Sequence, residues 1–350
     1  MRRDVRRRLE QYASNPRCEA NVISAVHDVP MEAVARSLGF EVAVGQSPFA
    51  LLRGQQFERS IFRDDAVRLR RALITQKVLP ANAAGFVDFR MARNDGPYPN
   101  LDASRAAFLQ RLGAFAKTVG EARLQLPTIL AGPTLMVPGK AILPDGLFAI
   151  DVLTVHPQPR PAPIVLRVGE VKVYPDRGGF TDAAELSSTR AQAGLYVHAL
   201  RVELQQSKLA QHFAVADDGF LVLTRPSFNL PSVRGAEDLQ HQAERAAVMF
   251  DRVLRIAERT LPADSATDDV PTTRRQAVVD APKQYADGCL AFCELAAHCQ
   301  QEALARGLPA ALGDDLGRFL GPITLHRALE LLHGAAPQHD VERDLVARIS

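Results

Sequence analysis

The sequence predicts an α/β domain, on three observations. Segments with helical apolar spacing alternate with short runs rich in β-branched residues, in the order helix, strands, helix, strand, helix. Of the 350 residues 47% are apolar, enough to bury one substantial core with smaller appended elements. The apolar stretches are all too short to span a bilayer, which takes roughly eighteen residues or more. The N-terminal MRRDVRRRLEQY is basic and amphipathic and lacks the apolar stretch of a secretion signal, so a soluble, cytoplasmic protein with no membrane partner is expected.

Taken in order, Arg2 to Tyr12 reads as a short basic helix, and the turn-rich SNPRCEAN that follows carries Cys18. Gly54 to Gln76 places Phe57, Ile61, Phe62, Val67, Leu69 and Leu73 on an approximate helical stripe among many arginines, and is the first core helix. A second helix is expected from Asp102 to Val119, with Asp102 as its cap. The character then changes. AILPDGLFAIDVLTV and IVLRVGEVKVY are apolar and β-branched, and the proline-rich HPQPRPAP between them makes them neighbouring strands. Thr181 to Gln206 returns to helical spacing, DGFLVLTR is another strand, and Ala236 to Thr260 is a long amphipathic helix.

Leu261 to Pro282 is polar, holds three prolines and keeps no period, so it reads as a surface loop or linker. Beyond Leu312 the spacing of Leu316, Phe319, Leu320, Leu325, Leu329 and Leu332 predicts a small helical tail. The expected domains are therefore 1–53, an N-terminal helical segment; 54–260, the core; 261–282, the linker; and 283–350, a cysteine-bearing helical region. No internal repeat is present.

The net charge is only +2, so any phosphate-binding surface must be a local patch. The arginine-rich stretches RRDVRRR and Arg68 to Arg71 are ordinary solvated helix faces, unless they line the approach to a site and track a phosphate backbone. The sequence has no tryptophan and five tyrosines, which gives little support for an extended base-stacking platform. His27, His198, His212 and His298 are scattered without the spacing of a histidine-based hydrolase. Gly132 to Lys140 (GPTLMVPGK) has the wrong spacing for a phosphate loop, and Ala141 stands where a hydroxyl residue is needed.

The most informative stretch is Val168-Gly169-Glu170-Val171-Lys172-Val173. A strand alternates faces, so Glu170 and Lys172 project to the same side. Two opposite charges on one face of a core strand are costly unless they are paired or bind something. A structural ion pair or a half-exposed strand is the plain alternative. A second carboxylate upstream, Asp145 in LPDGLF, belongs to the run that the proline-rich turn sets beside Glu170. Adjacent carboxylates repel and invite a divalent cation, and hard oxygen ligands suit Mg²⁺ or Mn²⁺. Such an ion polarises a phosphoryl oxygen and acidifies water, while a nearby lysine orients that water or stabilises developing charge. The set is sufficient for phosphodiester hydrolysis. Asp151, of the same parity as Asp145, is the alternative ligand.

These residues resemble the PD-(D/E)xK nuclease superfamily, and within it the branch of RecB-like and CRISPR-associated exonucleases, over roughly Cys18 to Cys299. Asp145 after Pro144 stands where the family has its aspartate, and Gly169-Glu170-x-Lys172 matches its G-E-x-K. Gln192-Ala-Gly-Leu-Tyr196 is similar to the branch's Q-x-x-x-Y, and residues four apart share a helical face that would point at the site or the DNA strand. Gly54-x-x-x-Glu58 occupies the place of G-x-x-x-H, glutamate replacing histidine. The resemblance implies a restriction-endonuclease-like core, a mixed central sheet flanked by helices, that cuts DNA with single-stranded or frayed ends favoured. Glu58, Asp145, Glu170 and the Val171 carbonyl would hold Mg²⁺ or Mn²⁺, and Lys172 would position the attacking water. DNA repair, recombination or phage defence is the implied setting, with a separate helicase, ATPase or defence-complex subunit as partner. The rival is a non-catalytic nucleic-acid-binding or scaffold subunit of a larger complex.

Four cysteines in a cytoplasmic chain are read for metal binding before disulfides. Cys289-x-x-x-Cys293-x-x-x-x-x-Cys299 lies after the core, and Cys18 before it. Four thiols match one [4Fe–4S] cluster, and the CRISPR-associated, AddB-like and eukaryotic helicase-nuclease relatives hold theirs with one cysteine before the nuclease core and three after. The first gap in those relatives is usually two residues; here it is three. A structural staple in a C-terminal helical iron–sulfur region is the implied role, closing a very long loop. Zn²⁺ in a Cys₄ site is the alternative, as are four separate buried thiols, and His298 beside Cys299 is a further thiol substitute.

Overall fold

The β-branched runs on either side of the proline-rich turn form the centre of a mixed sheet. In the computed structural model the described residues are 3–4, 15, 18–27, 29–40, 48–83, 85–118, 122, 125–126, 128–137, 146–226, 230–248, 270–285, 289 and 293–349. They fall into two units, residues 1–13 with 46–252, and residues 14–45 with 253–350.

In the first unit the strands are β1 (Arg3–Asp4), β2 (Phe86–Asp88), β3 (Ile129–Ala131), β4 (Thr134–Val137), β5 (Gly146–Ala149), β6 (Val152–His156), β7 (Ile164–Pro175), β8 (Phe213–Val215), β9 (Asp218–Thr224) and β10 (Pro231–Asp238). Its helices are α1 (Pro48–Thr75), α2 (Leu101–Lys117), α3 (Ala183–Gln206) and α4, described over 240–248. A seven-stranded sheet runs β10-β9-β7-β6-β3-β2, with β8 also paired to β7, and a second sheet runs β1-β5-β4. The β6–β7 hairpin is antiparallel and the β7–β9 and β2–β3 pairs are parallel, so the large sheet is mixed.

Alternation along β7 divides the core. Ile164, Leu166 and Val168 pack with Ala193, Tyr196, Val197 and Leu200 of α3 on one face. Val171 lies on the other, with Val152, Phe220 and the α1 residues Phe57, Ile61, Phe62, Leu69 and Leu73. Burial on both faces explains why the central strand reads as a nearly continuous apolar run. Gly169 is required by this packing, because a Cβ there would sit 2.2 Å from the Phe220 ring and 2.7 Å from Val152 Cγ1.

AILPDGLFAIDVLTV is two strands in different sheets, since β5 pairs with β4 while β6 pairs with β7. The chain turns at Ile150 and Asp151, and it is β6, headed by Asp151, that the proline-rich turn sets beside β7. α1 is not one smooth helix: Asp64, Asp65 and Ala66 have left-handed φ of 52°, 54° and 56°, yet the residues on either side feed the same apolar cluster. Asn100, not Asp102, caps α2, its Oδ1 accepting from the Ala103 N–H at 2.9 Å. The first three residues of the segment expected to be a long helix, Ala236 to Asp238, are instead the end of β10, which pairs with β9 before α4 begins. Arg3 and Asp4 form strand instead of helix, pairing with β5; the rest of that predicted helix, and residues 249–260, lie outside the described residues.

In the second unit, helices span Glu19–His27, Met31–Ser37, Val270–Asp280, Ala296–Arg306, Asp314–Leu320, Leu325–Leu332 and Asp340–Ile349. The predicted tail from Leu312 is thus helical. The predicted linker is not all loop: Val270–Asp280 is helix, with Val278 fully buried. Pro271 falls in its first turn, where the missing N–H has no helical partner to lose. The Glu19–His27 helix packs on Val270–Asp280, and the Glu19 N–H donates to the Pro282 carbonyl at 3.1 Å. Residues 14–45, expected to stand with the N-terminal segment, therefore belong with the C-terminal region. Among the described residues no helix is long and apolar enough to cross a membrane.

Candidate active site

Glu170 sits in the middle of β7 with no solvent exposure, on the face that packs against α3. A carboxylate that deep must be compensated. Lys172, on the same face of the strand, supplies the charge with its Nζ 2.9 Å from Glu170 Oε1. The pairing of Val152 with Gly169 places Asp151 across from Glu170, and Asp151 Oδ2 accepts the Val171 N–H at 2.8 Å. Asp151 is itself buried, at 7% exposure. The result is two acidic residues and one ammonium gathered where β6 and β7 pair.

The sequence chose Asp145 ahead of Asp151. Asp145 lies outside the described residues, and the strand that follows it, β5, belongs to the smaller sheet. The carboxylate beside Glu170 is that of Asp151. Parity along an assumed continuous strand could not separate the two, because the chain changes sheets between them.

Glu58 is half-buried on α1, around a small cavity with Gln55, Arg59, Arg93 and Asn94, where Arg59 pairs with Asp95. α1 covers the face of the sheet that carries Val171, opposite the one that carries Glu170 and Lys172. Glu58, Asp151 and Glu170 do not form a metal-holding group among the described residues. Nearby, the Asp88 carboxylate is held by Arg90, with Nε at 3.0 Å and Nη2 at 2.8 Å. That pair was not anticipated, since Asp88 and Arg90 carry no motif.

Gln192 and Tyr196 do face the same side of α3, and Gln192 Nε2 donates to the Tyr196 hydroxyl at 2.7 Å. Tyr196 has no solvent exposure and its ring stacks on Phe148 at 5.7 Å between centroids. In this conformation the tyrosine is a core residue and cannot stack on a nucleic-acid base. Gly194, between them, allows close approach of α4, for a Cβ there would lie 2.3 Å from Gln242 Cβ.

All four cysteines lie in the second unit. Cys18, Cys289 and Cys293 are buried and Cys299 is half-buried. Asn15 Nδ2 is 3.3 Å from Cys289 Sγ, and the Cys293 N–H donates to the Cys289 carbonyl at 2.8 Å. Burial pushes the Cys299 thiol up to about 12, reinforced by Cys18 and Cys289 and opposed by Lys283. Burial also raises Cys293, and Cys18, Cys289 and Cys299 each add to the effect. The thiols are thus within electrostatic reach of one another, although Cys18 is far from the others in sequence. They come from both chain segments of the second unit, residues 14–45 and 253–350.

Among the described residues no three Asp, Glu, His or Cys side chains meet closely enough to hold a metal ion. Neither the β6–β7 carboxylates nor the thiols form a closed ligand cage. Their donor chemistry nonetheless fits: hard oxygens for Mg²⁺ or Mn²⁺ at the first, thiolates for iron–sulfur or zinc at the second. No protein-family model, curated protein or solved structure matches this chain.

Proposed function

We propose that the chain is a divalent-metal-dependent nuclease of the PD-(D/E)xK type, with a restriction-endonuclease-like core and DNA as its substrate. The observation that carries this reading is the placement of Asp151 opposite Glu170 with Lys172 on the same strand face. Like charges side by side in a buried setting are unfavourable unless a cation joins them. Asp151, Glu170 and the Val171 carbonyl would hold Mg²⁺ or Mn²⁺. The ion, when bound, would polarise a phosphoryl oxygen and acidify the attacking water. Lys172 does the protein's own share: its ammonium, 21% exposed, reaches solvent from a buried carboxylate and is placed to orient water or to offset charge developing on phosphate. The resemblance would add Glu58, which lies on the helix covering the opposite face, and Asp145, and leaves Gln192 and Tyr196 to brace α3 behind the site. A [4Fe–4S] cluster on Cys18, Cys289, Cys293 and Cys299, or Zn²⁺ in its place, belongs to the same proposal as a staple of the second unit.

A second reading is a non-catalytic nucleic-acid-binding subunit that keeps the fold within a larger complex. It is favoured by the internal pairing of Glu170 with Lys172 and of Asp151 with the Val171 N–H, which a purely structural role would also produce. Assaying wild type and Glu170→Ala on single- and double-stranded DNA with Mn²⁺ separates the two. Nuclease action predicts at least a hundredfold loss in the variant; equal degradation by both proteins removes this site from the chemistry, and an inactive wild type favours the binding subunit.

A further inference from the structure

Beyond Lys172 the β7 strand runs on to Pro175 and opens into a polar cleft of about 750 Å³ lined by Asp176, Arg177, Gly178, Gly179, Arg225, Ser232, Arg234 and Glu237 among others. The cleft lies at the ends of β7 and β9 and the start of β10, about 20 Å along the strand from Glu170 at roughly 3.3 Å per residue. Its loop turns through Gly178 and Gly179, whose φ values of +69° and +92° belong to the left-handed region that a side chain would strain.

The charges in this cleft are not balanced. Both carboxylates are engaged within the protein: Asp176 Oδ1 accepts the Gly179 N–H at 3.0 Å and Oδ2 accepts the Ser232 hydroxyl at 2.5 Å. Glu237 is held by Arg190 at 2.6 Å and by Arg234 at 3.1 Å. The Arg234 Nη1 in turn donates to the Gly179 carbonyl at 2.8 Å, tying the glycine loop to β10. Arg177 and Arg225 are exposed and have no ion-pair partner among the described residues. Two exposed guanidinium groups beside a concave wall, with both lining carboxylates already engaged and Glu185 the further acid within electrostatic reach of Arg177, make a site for an anion with several oxygens.

We infer that this cleft binds a phosphodiester group of a polynucleotide strand, held by Arg177 and Arg225, at a position removed from the Glu170–Lys172 site on the same sheet. Inorganic phosphate shares the chemistry, but an open cleft on the strand that carries Lys172 suits a continuing backbone better than a closed anion cage. The identification of the ligand as a polynucleotide rests on the nuclease reading; the excess positive charge of the cleft does not. A grip of this kind sets register and direction without reading sequence.

The test is strand binding by the full chain with EDTA present, so that nothing is cut. Wild type, Arg177→Ala/Arg225→Ala and Arg177→Lys/Arg225→Lys are titrated with a single-stranded oligonucleotide across a range of salt, and separately with inorganic phosphate. The expected result is at least a tenfold loss of affinity in the alanine pair. Its dependence of log K on log salt should be shallower by about 1.4, two phosphate contacts at roughly 0.7 each on a single strand. The lysine pair should keep the salt slope, since it keeps the charge. Both arginines are exposed, and equal melting temperatures across the three proteins check that the fold is intact. Unchanged strand affinity in the alanine pair overturns the proposal, even where Glu170→Ala abolishes cleavage. Binding of inorganic phosphate without any strand binding overturns it as well. A wild type that binds the strand through these arginines yet never cuts with Mn²⁺ ends the nuclease reading and leaves the cleft standing.

Discussion

Lys172 Nζ lies 2.9 Å from Glu170 Oε1, the lysine 21% exposed and the glutamate wholly buried. The two partners are therefore unequal: removing the lysine takes a neutralising charge from a carboxylate in the core, whereas removing the charge of the glutamate leaves a lysine able to reach water. Lys172→Met should destabilise the fold by about 3–5 kcal/mol, and Glu170→Gln/Lys172→Met should recover most of that loss. Denaturant unfolding of the single and double variants measures it. A double variant no more stable than Lys172→Met would show that the ammonium does not compensate the buried charge.

The second carboxylate of the site is assigned by register. Asp151→Asn should reduce Mn²⁺-dependent DNA cleavage by at least a hundredfold while keeping the Val171 N–H bonded through the amide oxygen. Asp145→Asn and Glu58→Gln, assayed in parallel, should be milder. Loss of cleavage in Asp145→Asn with activity retained in Asp151→Asn would move the ligand back to the residue that the motif alone selects.

His156, at the end of β6, is held in its neutral form. Burial lowers its pKa from 6.5 to about 4, and Arg167 adds to the effect while Asp218 opposes it. The folded state thus binds this proton less readily than the unfolded chain. Stability should fall as pH drops from about 6.5 to 4 and level off below. The full gap corresponds to at most about 3.5 kcal/mol, at about 1.4 kcal/mol per pH unit. Melting curves of wild type and His156→Gln between pH 7 and pH 4 isolate the effect, which should appear as a difference that shrinks with acid; parallel curves would refute it.

The cysteines make a prediction independent of catalysis. Protein purified without oxygen should contain iron and absorb near about 400 nm, and each of Cys18→Ser, Cys289→Ser, Cys293→Ser and Cys299→Ser should lose iron and lower the stability of the second unit. Zinc in place of iron would assign the tetrahedral alternative. Anaerobic protein free of both metals would reduce the thiols to buried side chains.

Much of the fold was legible because it rests on local pattern. The period of Phe57, Ile61, Leu69 and Leu73 marks α1, the β-branched run from Ile164 marks β7, and the alternation within that run put Glu170 and Lys172 on one face. The short strands β2, β3, β4 and β8 were missed, because three or four residues carry too little period to register. The helical spacing that begins at Ala236 hides the end of β10, and only the pairing of Glu237 and Asp238 with β9 shows those residues to be strand. The helix Val270–Asp280 was hidden in a polar, proline-bearing segment whose one deeply buried valine finds its partners elsewhere in the chain.

By itself the sequence determined which residues form the central strand and that an acid and a base share its face; both follow from the two-residue period of a strand. Only the tertiary structure decided that Asp151 stands across from Glu170, which face α1 covers, and that residues 14–45 share a unit with the C-terminal region. Those outcomes depend on sheet register and on chain segments returning over long separations, and no local period encodes where a distant segment will pack.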